Sequence, residues 1–515
     1  MVLEAPTGCG KSHIAATLAR HYGRAYVCTL TKSLQDQYVS EPDFKKCNLK
    51  DLKGRKAFHC DRARSTCEVG GILFQGEDAC DECPYQIAKN KSLRASICVA
   101  NYKSFLWNVI WAPKKGGRQD DDGIDYFRDL LVLDEAHELE DVLLDTVSVS
   151  IDTDKLHVPF DAPLPTDRDS VPAHFAWLEK LSEHMSERRK DINDPMKLAE
   201  HDRLARKIGF TLRFRDREEW IVERGGEEGG RRDTSTSGAT ASAAASARDR
   251  RRASSSGVNI FSLKPITVGS FGHMYFDQAD KILLMSGTIL NAQAFCDGVG
   301  IPLDQAEFIG LPCIFPKENR PIIVGNFDMR KAARFDEDDP SNGSWPSMVK
   351  SVEGIMAHHA ADKGLILTPS NEMIKYLMKE LGSAARSRLI PAFGEEREKR
   401  YQEHLSASRP SVLIASGMWS GIDLTGDRSR FQIIPALPRP YLSPQVQARM
   451  RLHRWWYSWK TMMQAMQGVG RSIRSESDSA VTYILDREFR VQCERTYGRL
   501  VPDWMMEAVQ IAGEE

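Results

Sequence analysis

The sequence has little net charge and lacks any long hydrophobic stretch. Lys and Arg number 70 against 72 Asp and Glu, so the formal net charge is −2. Any hold on nucleic acid must therefore come from local basic patches and not from the chain as a whole. The sequence shows neither an apolar run long enough to cross a bilayer nor a signal-peptide pattern. These absences favour a cytoplasmic protein without a membrane partner.

The chain has 515 residues, a length that predicts two to four domains. It contains 11 cysteines, and with no secretory signal these favour reduced thiols or metal ligands over a disulfide framework.

Short apolar runs alternate with helical patterns along most of the chain, as in buried parallel strands joined by helices. The runs form two groups along the sequence, and we therefore predict an α/β protein with two parallel-sheet domains. The first group is 25–30, 130–133 and 282–285, and the second is 322–324, 365–367, 412–415, 432–434 and 481–485.

Residues 5–12 read APTGCGKS and lie between a short apolar run and a helical pattern. Strand, glycine loop and helix form the setting of a phosphate-binding P-loop. Gly8 and Gly10 let successive backbone N–H groups point inward, and the helix N-terminus adds partial positive charge. Lys11 can reach the β- and γ-phosphates, and the Ser12 hydroxyl can ligate Mg²⁺. The predicted nucleotide-binding residues are Thr7, Gly8, Cys9, Gly10, Lys11 and Ser12.

A second motif, Asp134-Glu135-Ala136-His137, directly follows the apolar run 130–133. A carboxylate at the end of a buried strand, across from a P-loop, is suited to a nucleotide-bound Mg²⁺. We predict Asp134 as an Mg²⁺ ligand and Glu135 as the group that positions and deprotonates the attacking water. The alternative is an acidic strand end that caps the next helix.

A third motif, residues 467–474, reads QGVGRSIR. On a helix, the spacing of Arg471 and Arg474 would place both guanidinium groups on one face. Such a pair suits the charge that spreads over a γ-phosphate in the transition state. We expect Gln467, Arg471 and Arg474 to belong to the second domain, with nucleotide held at the interface.

The ordered set of motifs resembles the XPD/DinG branch of iron–sulfur helicases, which are DEAH-type members of superfamily 2. The resemblance implies two RecA-like motor domains and ATP-driven unwinding of DNA in the 5′ to 3′ direction. It also implies that Gly421 and Asp423 serve the nucleotide cleft. Besides the P-loop, the DEAH box and the Gln/Arg motif, the matching segments are 29–37, Ser286-Gly287-Thr288, Thr368-Pro369-Ser370 and Trp419-Ser420-Gly421-Ile422-Asp423.

Four cysteines, Cys60, Cys67, Cys80 and Cys83, lie between the first strands and the DEAH strand. Four thiolates suit a [4Fe–4S] cluster, suit tetrahedral zinc equally, or are simply unligated. The flanking segments resemble those around the cluster in DinG-like proteins, and this favours iron–sulfur.

The cysteine segment is also basic, with eight Lys and Arg against two Asp between Lys45 and Arg64. Such a patch can neutralise backbone phosphates without reading sequence. Its aromatic side chains, Phe58, Phe74 and Tyr85, suit either base stacking and strand parting or packing around the cluster.

These features predict a domain division. Residues 141–257 are expected to be a mostly helical, arch-like insertion, with a disordered run over 224–257 that has almost no apolar residues. In the family that the motifs resemble, the cysteine segment and the arch form a hole through which a single strand passes. Because the insertion here is small, the sequence does not predict whether that hole is closed. Motor domain 1 comprises 1–44, 98–140 and 258–312, the iron–sulfur insertion 45–97, and motor domain 2 residues 313–515.

We therefore predict an ATP-dependent DNA helicase that acts on single-stranded and forked DNA, as in DNA repair or replication. Two alternatives are an ATP-driven translocase that does not separate strands and a non-hydrolysing, ATP-gated DNA clamp. The presence of Lys11, Glu135, Arg471 and Arg474 speaks against the clamp, because a pure binder needs neither water activation nor arginine fingers.

Overall fold

The computed structural model describes residues 1–6, 8–41, 48–74, 83–112, 114, 118–224, 260–330, 344–419, 422, 424–473, 477–495 and 498–511. Strands and helices are numbered in chain order over these residues. The strands are β1 (Val2–Glu4), β2 (Ala25–Thr29), β3 (Leu49–Leu52), β4 (His59–Cys60), β5 (Ser65–Thr66), β6 (Ile97–Asn101), β7 (Arg128–Asp134), β8 (Val149–Asp152), β9 (Trp220–Arg224), β10 (Ile260–Pro265), β11 (Ala279–Ser286), β12 (Phe308–Gly310), β13 (Ile322–Phe327), β14 (Gly364–Thr368), β15 (Leu389–Ala392), β16 (Val412–Ser416), β17 (Phe431–Ile434), β18 (Val481–Asp486) and β19 (Val509–Ile511).

The α-helices cover the faces of the sheets and form most of one insertion. They are α1 (Lys11–Tyr22), α2 (Lys32–Ser40), α3 (Cys67–Leu73), α4 (Pro84–Arg94), α5 (Tyr102–Phe105), α6 (Leu139–Val147), α7 (Val171–Arg188), α8 (Pro195–Arg213), α9 (His273–Phe276), α10 (Ala292–Val299), α11 (Ser344–His358), α12 (Asn371–Glu380), α13 (Ser383–Arg386), α14 (Arg397–Ser406), α15 (Pro444–Leu452), α16 (Trp456–Val469), α17 (Arg487–Glu494) and α18 (Asp503–Met506).

Two seven-stranded sheets organise the described chain, in the orders β12-β1-β11-β7-β2-β6-β3 and β15-β16-β14-β17-β18-β13-β19. The pairs within both sheets are parallel. Each of the eight apolar runs singled out in the sequence forms a strand of the expected sheet. The prediction of two RecA-like parallel-sheet domains is therefore confirmed.

The first sheet is buried on both faces, as parallel sheets with crossover helices are. Tyr26 and Cys28 of β2 join one apolar cluster, whereas Ala25 and Val27, which alternate with them, join another. This two-sided burial explains why the strands have continuous apolar runs and not alternating patterns. The carboxyl ends of these strands form the edge at which the motifs gather.

The insertion expected over 141–257 differs from a purely helical arch. Helices α7 and α8 pack on an antiparallel sheet of three strands in the order β8-β10-β9. Strand β10, which lies in the range predicted for motor domain 1, pairs with β8 and β9 and not with the motor sheet. Apart from Arg224, which ends β9, the predicted disordered run lies outside the described residues.

The cysteine segment contains a two-stranded hairpin, β4 and β5, followed by α3 and α4. It touches the helical insertion, because Arg203 of α8 donates to Glu68 of α3 at 2.9 Å. The two insertions are thus in contact on one side of the first sheet. No helix in the described part of the chain is long and apolar enough to cross a membrane.

Candidate nucleotide site between the two sheets

The P-loop leads from β1 into α1, as the motif predicts. Gly8 and Gly10 have φ values of 88° and 76°, a region that favours glycine. A Cβ atom on Gly8 would also overlap the ring of Phe315, from the segment between the sheets. Lys11, the first residue of α1, donates from Nζ to the Ala5 carbonyl oxygen at 2.9 Å. Thr7 lies outside the described residues.

The two side chains predicted to ligate Mg²⁺ are brought together by a third residue, Tyr38 of α2. Its hydroxyl donates to Asp134 Oδ2 at 3.2 Å and also hydrogen-bonds with Ser12. Burial, followed by the charge of Glu135, raises the pKa of Asp134 to about 7. The Ser12 hydroxyl, in the first turn of α1, and the Asp134 carboxyl group, at the end of β7, offer hard oxygen donors that fit a divalent cation such as Mg²⁺.

Glu135 follows the end of β7 with φ 56°, a backbone conformation that few non-glycine residues adopt. Such conformations gather at functional sites, where the surrounding structure holds them. Its backbone N–H donates to Asp134 Oδ1 at 3.0 Å, and its side chain is 26% exposed. The side chain of Glu135 is therefore partly exposed, although its Oε2 is buried 3.4 Å from His137 Nδ1, while Asp134 is enclosed.

His137 joins the two sheets. Its Nδ1 lies 2.9 Å from Ser286 Oγ, at the end of β11, and 3.4 Å from Gln467 Nε2, on α16. Gln467 Nε2 also donates to Thr288 Oγ1 at 2.6 Å. Three motifs that are more than 100 residues apart in sequence thus meet at one point. The sequence predicts this junction only in outline, because a motif order does not specify which side chains touch.

Lys11 and Gln467 approach the same point from opposite sheets. A Cβ atom on Gly287 would lie 3.8 Å from Lys11 Nζ and equally 3.8 Å from Gln467 Nε2. Arg471 Nη2 lies 3.4 Å from Gln467 Oε1, which places the arginine one side chain further from the P-loop. The P-loop and the Gln/Arg motif therefore face each other across a single glycine.

The expected helical placement of the arginine pair is wrong. Helix α16 ends at Val469, residues Gly470–Ser472 form a 3₁₀ turn, and Ile473 is extended. Glycine favours such a break because it stabilises the helix less than other residues do. Arg471 is buried and donates from Nε to the carbonyl oxygens of Trp419 and Gln467. Arg474, Gly421 and Asp423 lie outside the described residues.

Two of the three described cysteines of the predicted cluster, Cys67 and Cys83, are in contact. Cys67 Sγ lies 3.5 Å from Cys83 Sγ, and the Cys60 side chain packs against Gly70 on the same helix as Cys67. Burial and the neighbouring Cys83 raise the pKa of Cys67 to about 11. Burial acts in the same sense on Cys83, but the backbone amides of Gln86 and Tyr85 and the Cys67 thiol outweigh it and lower its pKa.

Cys67 and Cys83 are two adjacent sulfur atoms of the kind that bind a metal group, and the charge of the Arg55 guanidinium acts to lower the pKa of both thiols. Cys80 lies outside the described residues. Within the residues that are described, no set of three or more His, Cys, Asp or Glu side chains forms a metal-holding group. The presence of a cluster therefore stays a prediction.

Aromatic side chains of the cysteine segment pack inward. Tyr85 is buried and donates to Asn108 Oδ1, and its ring meets Phe58 edge-on with centroids 5.7 Å apart. Arg55 lies over the Tyr85 ring at 4.6 Å, and Arg62 lies over Phe74 at 4.0 Å. Tyr85 is therefore packed against Phe58 and Asn108, and the choice between the two alternatives stays a prediction.

A buried charge network, which the sequence did not predict, connects α6, the helix after the DEAH box, to helices α15 and α16 of the second domain. Glu140 of α6 accepts from Arg449 Nη2 at 2.6 Å and from Trp456 Nε1 at 3.1 Å. Beside it, Lys460 Nζ lies 2.8 Å from Asp141. Of these residues, all but Arg449 line a cavity of about 220 Å³ that also contacts His137 and Gln467. The acidic residues after the DEAH box were the available signal.

Comparisons with known proteins agree with this geometry. The family model DEAD_2 matches residues 15–156, and the model of the Helicase C-terminal domain matches residues 354–508. No curated protein matches the sequence.

Solved structures share the fold. A structure titled XPD_Helicase is 15% identical, with a TM-score of 0.61 over 95% of this chain and 92% of its own. One titled XPD_APO is 14% identical, with a TM-score of 0.60 over 95% and 93%. Xpd4 of S. tokodaii is 13% identical, with a TM-score of 0.55 over 99% and 95%.

The two family models together match more than half of the chain, and they fall on the two parallel sheets. The site between these sheets joins the P-loop, the DEAH box and the Gln/Arg motif, which is the arrangement of an ATP-driven nucleic-acid enzyme. The chain therefore has the DEAD_2 and Helicase C-terminal domains of helicases and the fold of the XPD structures, in agreement with the predicted resemblance to XPD/DinG-type helicases of superfamily 2.

Proposed function

We propose that this protein is an ATP-dependent DNA helicase that steps 5′ to 3′ along single-stranded DNA and unwinds forked duplex. The observation that carries the proposal is the position of Gln467. Its side chain bonds Thr288, lies beside His137, and faces Lys11 across Gly287. A change at the phosphates of ATP therefore alters the surroundings of a residue of the second motor domain directly.

We assign nucleotide binding to the P-loop and to two residues of the second motor domain. Lys11 binds the β- and γ-phosphates, while Ser12 and Asp134 would hold Mg²⁺, which neutralises developing charge on the phosphates. The full proposed set is Thr7, Gly8, Cys9, Gly10, Lys11, Ser12, Asp134, Gly421 and Asp423.

Glu135 serves as the base for hydrolysis. Its carboxylate orients a water molecule, takes a proton from it, and leaves the oxygen free to bond the γ-phosphorus. The bond between that phosphorus and the β–γ bridging oxygen breaks, and ADP departs with the electron pair. Arg471 and Arg474 stabilise the charge that spreads over the γ-phosphoryl oxygens. Gln467 contacts Thr288 of motor domain 1, so the loss of the γ-phosphate changes a contact between the two domains.

The proposed domain division follows the motifs. Apart from β10, which pairs with strands of the insertion, residues 1–44, 98–140 and 258–312 form motor domain 1, and residues 313–515 form motor domain 2. Residues 45–97, with Cys60, Cys67, Cys80 and Cys83, would hold a [4Fe–4S] cluster that fixes the shape of this lobe. Residues 141–257 form the arch-like insertion.

Strand separation on forked substrates tests the proposal. We expect ATP-dependent release of the labelled strand from a duplex with a 5′ single-stranded tail, and none from one with only a 3′ tail. Matched RNA forks measure the preference for DNA. Glu135→Gln protein is the control for hydrolysis. Single strands that stimulate ATP hydrolysis without any released product would contradict unwinding and identify a translocase instead.

A further inference from the structure

Tyr38, which belongs to neither the P-loop nor the DEAH box, lies between the two side chains that are predicted to bind Mg²⁺. It is on α2 and is 1% exposed. Its hydroxyl group donates to Asp134 Oδ2 at 3.2 Å and shares a second hydrogen bond with Ser12. A buried hydroxyl group that contacts both candidate ligands of one cation is in a position to control how that cation is held.

The protons of these two hydrogen bonds have a fixed order. A tyrosine hydroxyl has a single proton, and Tyr38 donates it to Asp134. The bond between Ser12 and Tyr38 is therefore donated by the Ser12 hydroxyl. With its proton turned toward Tyr38, the Ser12 oxygen keeps its lone pairs for a cation. A serine hydroxyl in the opposite orientation would present its proton to the cation instead.

The Asp134 carboxylate is oriented by two donors. Tyr38 donates to Oδ2, and the Glu135 backbone N–H donates to Oδ1 at 3.0 Å. Each of the two carboxylate oxygens keeps a further lone pair with which it can bind a cation. A ligand that is already oriented loses little conformational entropy when the cation binds, so these two donors favour binding.

The position of the Tyr38 hydroxyl is itself fixed, because α2 is anchored to the first sheet. Gln35, one turn before Tyr38, is fully buried and donates from Nε2 to the carbonyl oxygens of Leu52 and Val99, at 3.2 and 3.1 Å. Asn101 donates from Nδ2 to Gln35 Oε1 at 3.3 Å. The helix that presents the hydroxyl group is thus bonded to strands β3 and β6 through one side chain.

We propose that Tyr38 is a positioning residue for the Mg²⁺ of the bound nucleotide, which accepts a hydrogen bond from Ser12, orients the Asp134 carboxylate, and thereby sets the affinity for the cation. The inference rests on the proposed function, because it needs a nucleotide at the P-loop. It adds a residue outside both motifs that acts through the two ligands. Removal of such an outer hydrogen-bond partner typically lowers metal affinity by about tenfold to a hundredfold.

The test is the Mg²⁺ concentration that the full chain needs to bind a fluorescent ADP analogue, mant-ADP, which involves no hydrolysis. Tyr38→Phe keeps the ring and removes only the hydroxyl group, and it should raise this concentration by about tenfold to a hundredfold. Affinity for mant-ADP in EDTA should stay unchanged, a result that a general loss of structure would not give. Tyr26→Phe is the matched control, because Tyr26 is also a buried tyrosine of the first domain, and its hydroxyl donates to the Tyr126 carbonyl oxygen.

A double variant tests the route through Ser12. In Ser12→Ala protein, Tyr38→Phe should raise the Mg²⁺ requirement by a smaller factor than it does in the unaltered protein, because one of the two partners of the hydroxyl group is already gone. Equal factors in the two backgrounds would overturn the proposed order of hydrogen bonds.

A second measurement covers the case in which Tyr38→Phe does not fold. With 3-fluorotyrosine in place of Tyr38, the fluorine NMR resonance should shift when Mg²⁺ is added to the complex with ADP. A resonance that does not move, or the same Mg²⁺ requirement in Tyr38→Phe and Tyr26→Phe, would overturn the proposal. If Tyr38→Phe shifts the Mg²⁺ requirement but the unaltered protein does not unwind forked DNA, the proposed helicase function fails and the role of Tyr38 stands. If the unaltered protein binds no mant-ADP, both fail.

Discussion

At the scale of single residues, Asp134 and Glu135 are neighbours with different environments. Asp134 is buried and held by the Tyr38 hydroxyl, whereas Glu135 is partly exposed on a backbone with positive φ. The first environment suits a cation ligand, and the second suits a base that must exchange protons with water. The sequence shows the two carboxylates, and only the structure separates their environments.

Replacement of Glu135 by Gln should abolish turnover and preserve nucleotide binding. The amide has the same shape but cannot accept the proton of the attacking water, so we expect ATP hydrolysis to fall by about a hundredfold or more. Hydrolysis is measured by phosphate release, and binding by a fluorescent ATP analogue. Glu187→Gln, an exposed site on α7, is the control. Unchanged turnover in Glu135→Gln protein would remove Glu135 from this role.

At the scale of elements, the cysteine segment has little apolar core of its own. Its strands β4 and β5 have two residues each, and α3 has seven. Small lobes of this kind usually need a crosslink or a metal group to hold their shape. Cys67 and Cys83 are in contact in this lobe, and the pKa is lowered for the Cys83 thiol but raised for that of Cys67.

Anaerobically purified protein should contain about four iron and about four sulfide ions per chain, with broad visible absorbance. Cys83→Ser should lower the iron content and make the lobe more sensitive to proteolysis, because a ligand is lost. Cys313→Ser, outside the lobe, serves as the control and should retain the iron. One zinc ion per chain in place of iron would contradict the iron–sulfur assignment and favour a zinc site.

At the scale of the whole molecule, a buried charge network joins the two motor domains. Glu140 and Asp141 of the first domain contact Arg449 and Lys460 of the second. Glu140 is almost fully enclosed, and Arg449 is 1% exposed. Burial alone would lower the pKa of Lys460, but Asp141 and Glu140 outweigh it and raise the pKa above its usual value. Each of these groups has an oppositely charged partner from the other domain.

Arg449→Ala should lower stability by about 3–5 kcal/mol, because it leaves the Glu140 carboxylate buried without its main partner. The double variant Glu140→Gln with Arg449→Met should recover part of the loss, since neither uncompensated charge remains. Thermal melting measures both variants. Arg430→Ala, which breaks the exposed pair with Asp427, should change stability by less than about 1 kcal/mol. Equal losses of stability in Arg449→Ala and Arg430→Ala would show that the buried network contributes no more to stability than an exposed ion pair does.

The sequence by itself determined the fold class, the family resemblance and the positions of the P-loop and DEAH box along the chain. These depend on local order, on strand-length apolar runs and on motifs that are contiguous in the chain. Tertiary structure alone decided three features. These are the pairing of β10 with the insertion, the end of α16 before both arginines, and the bridge that Tyr38 forms between Ser12 and Asp134. Each of these is a contact or a break between segments distant in sequence. Packing selects such contacts among many partners that local propensity would allow equally.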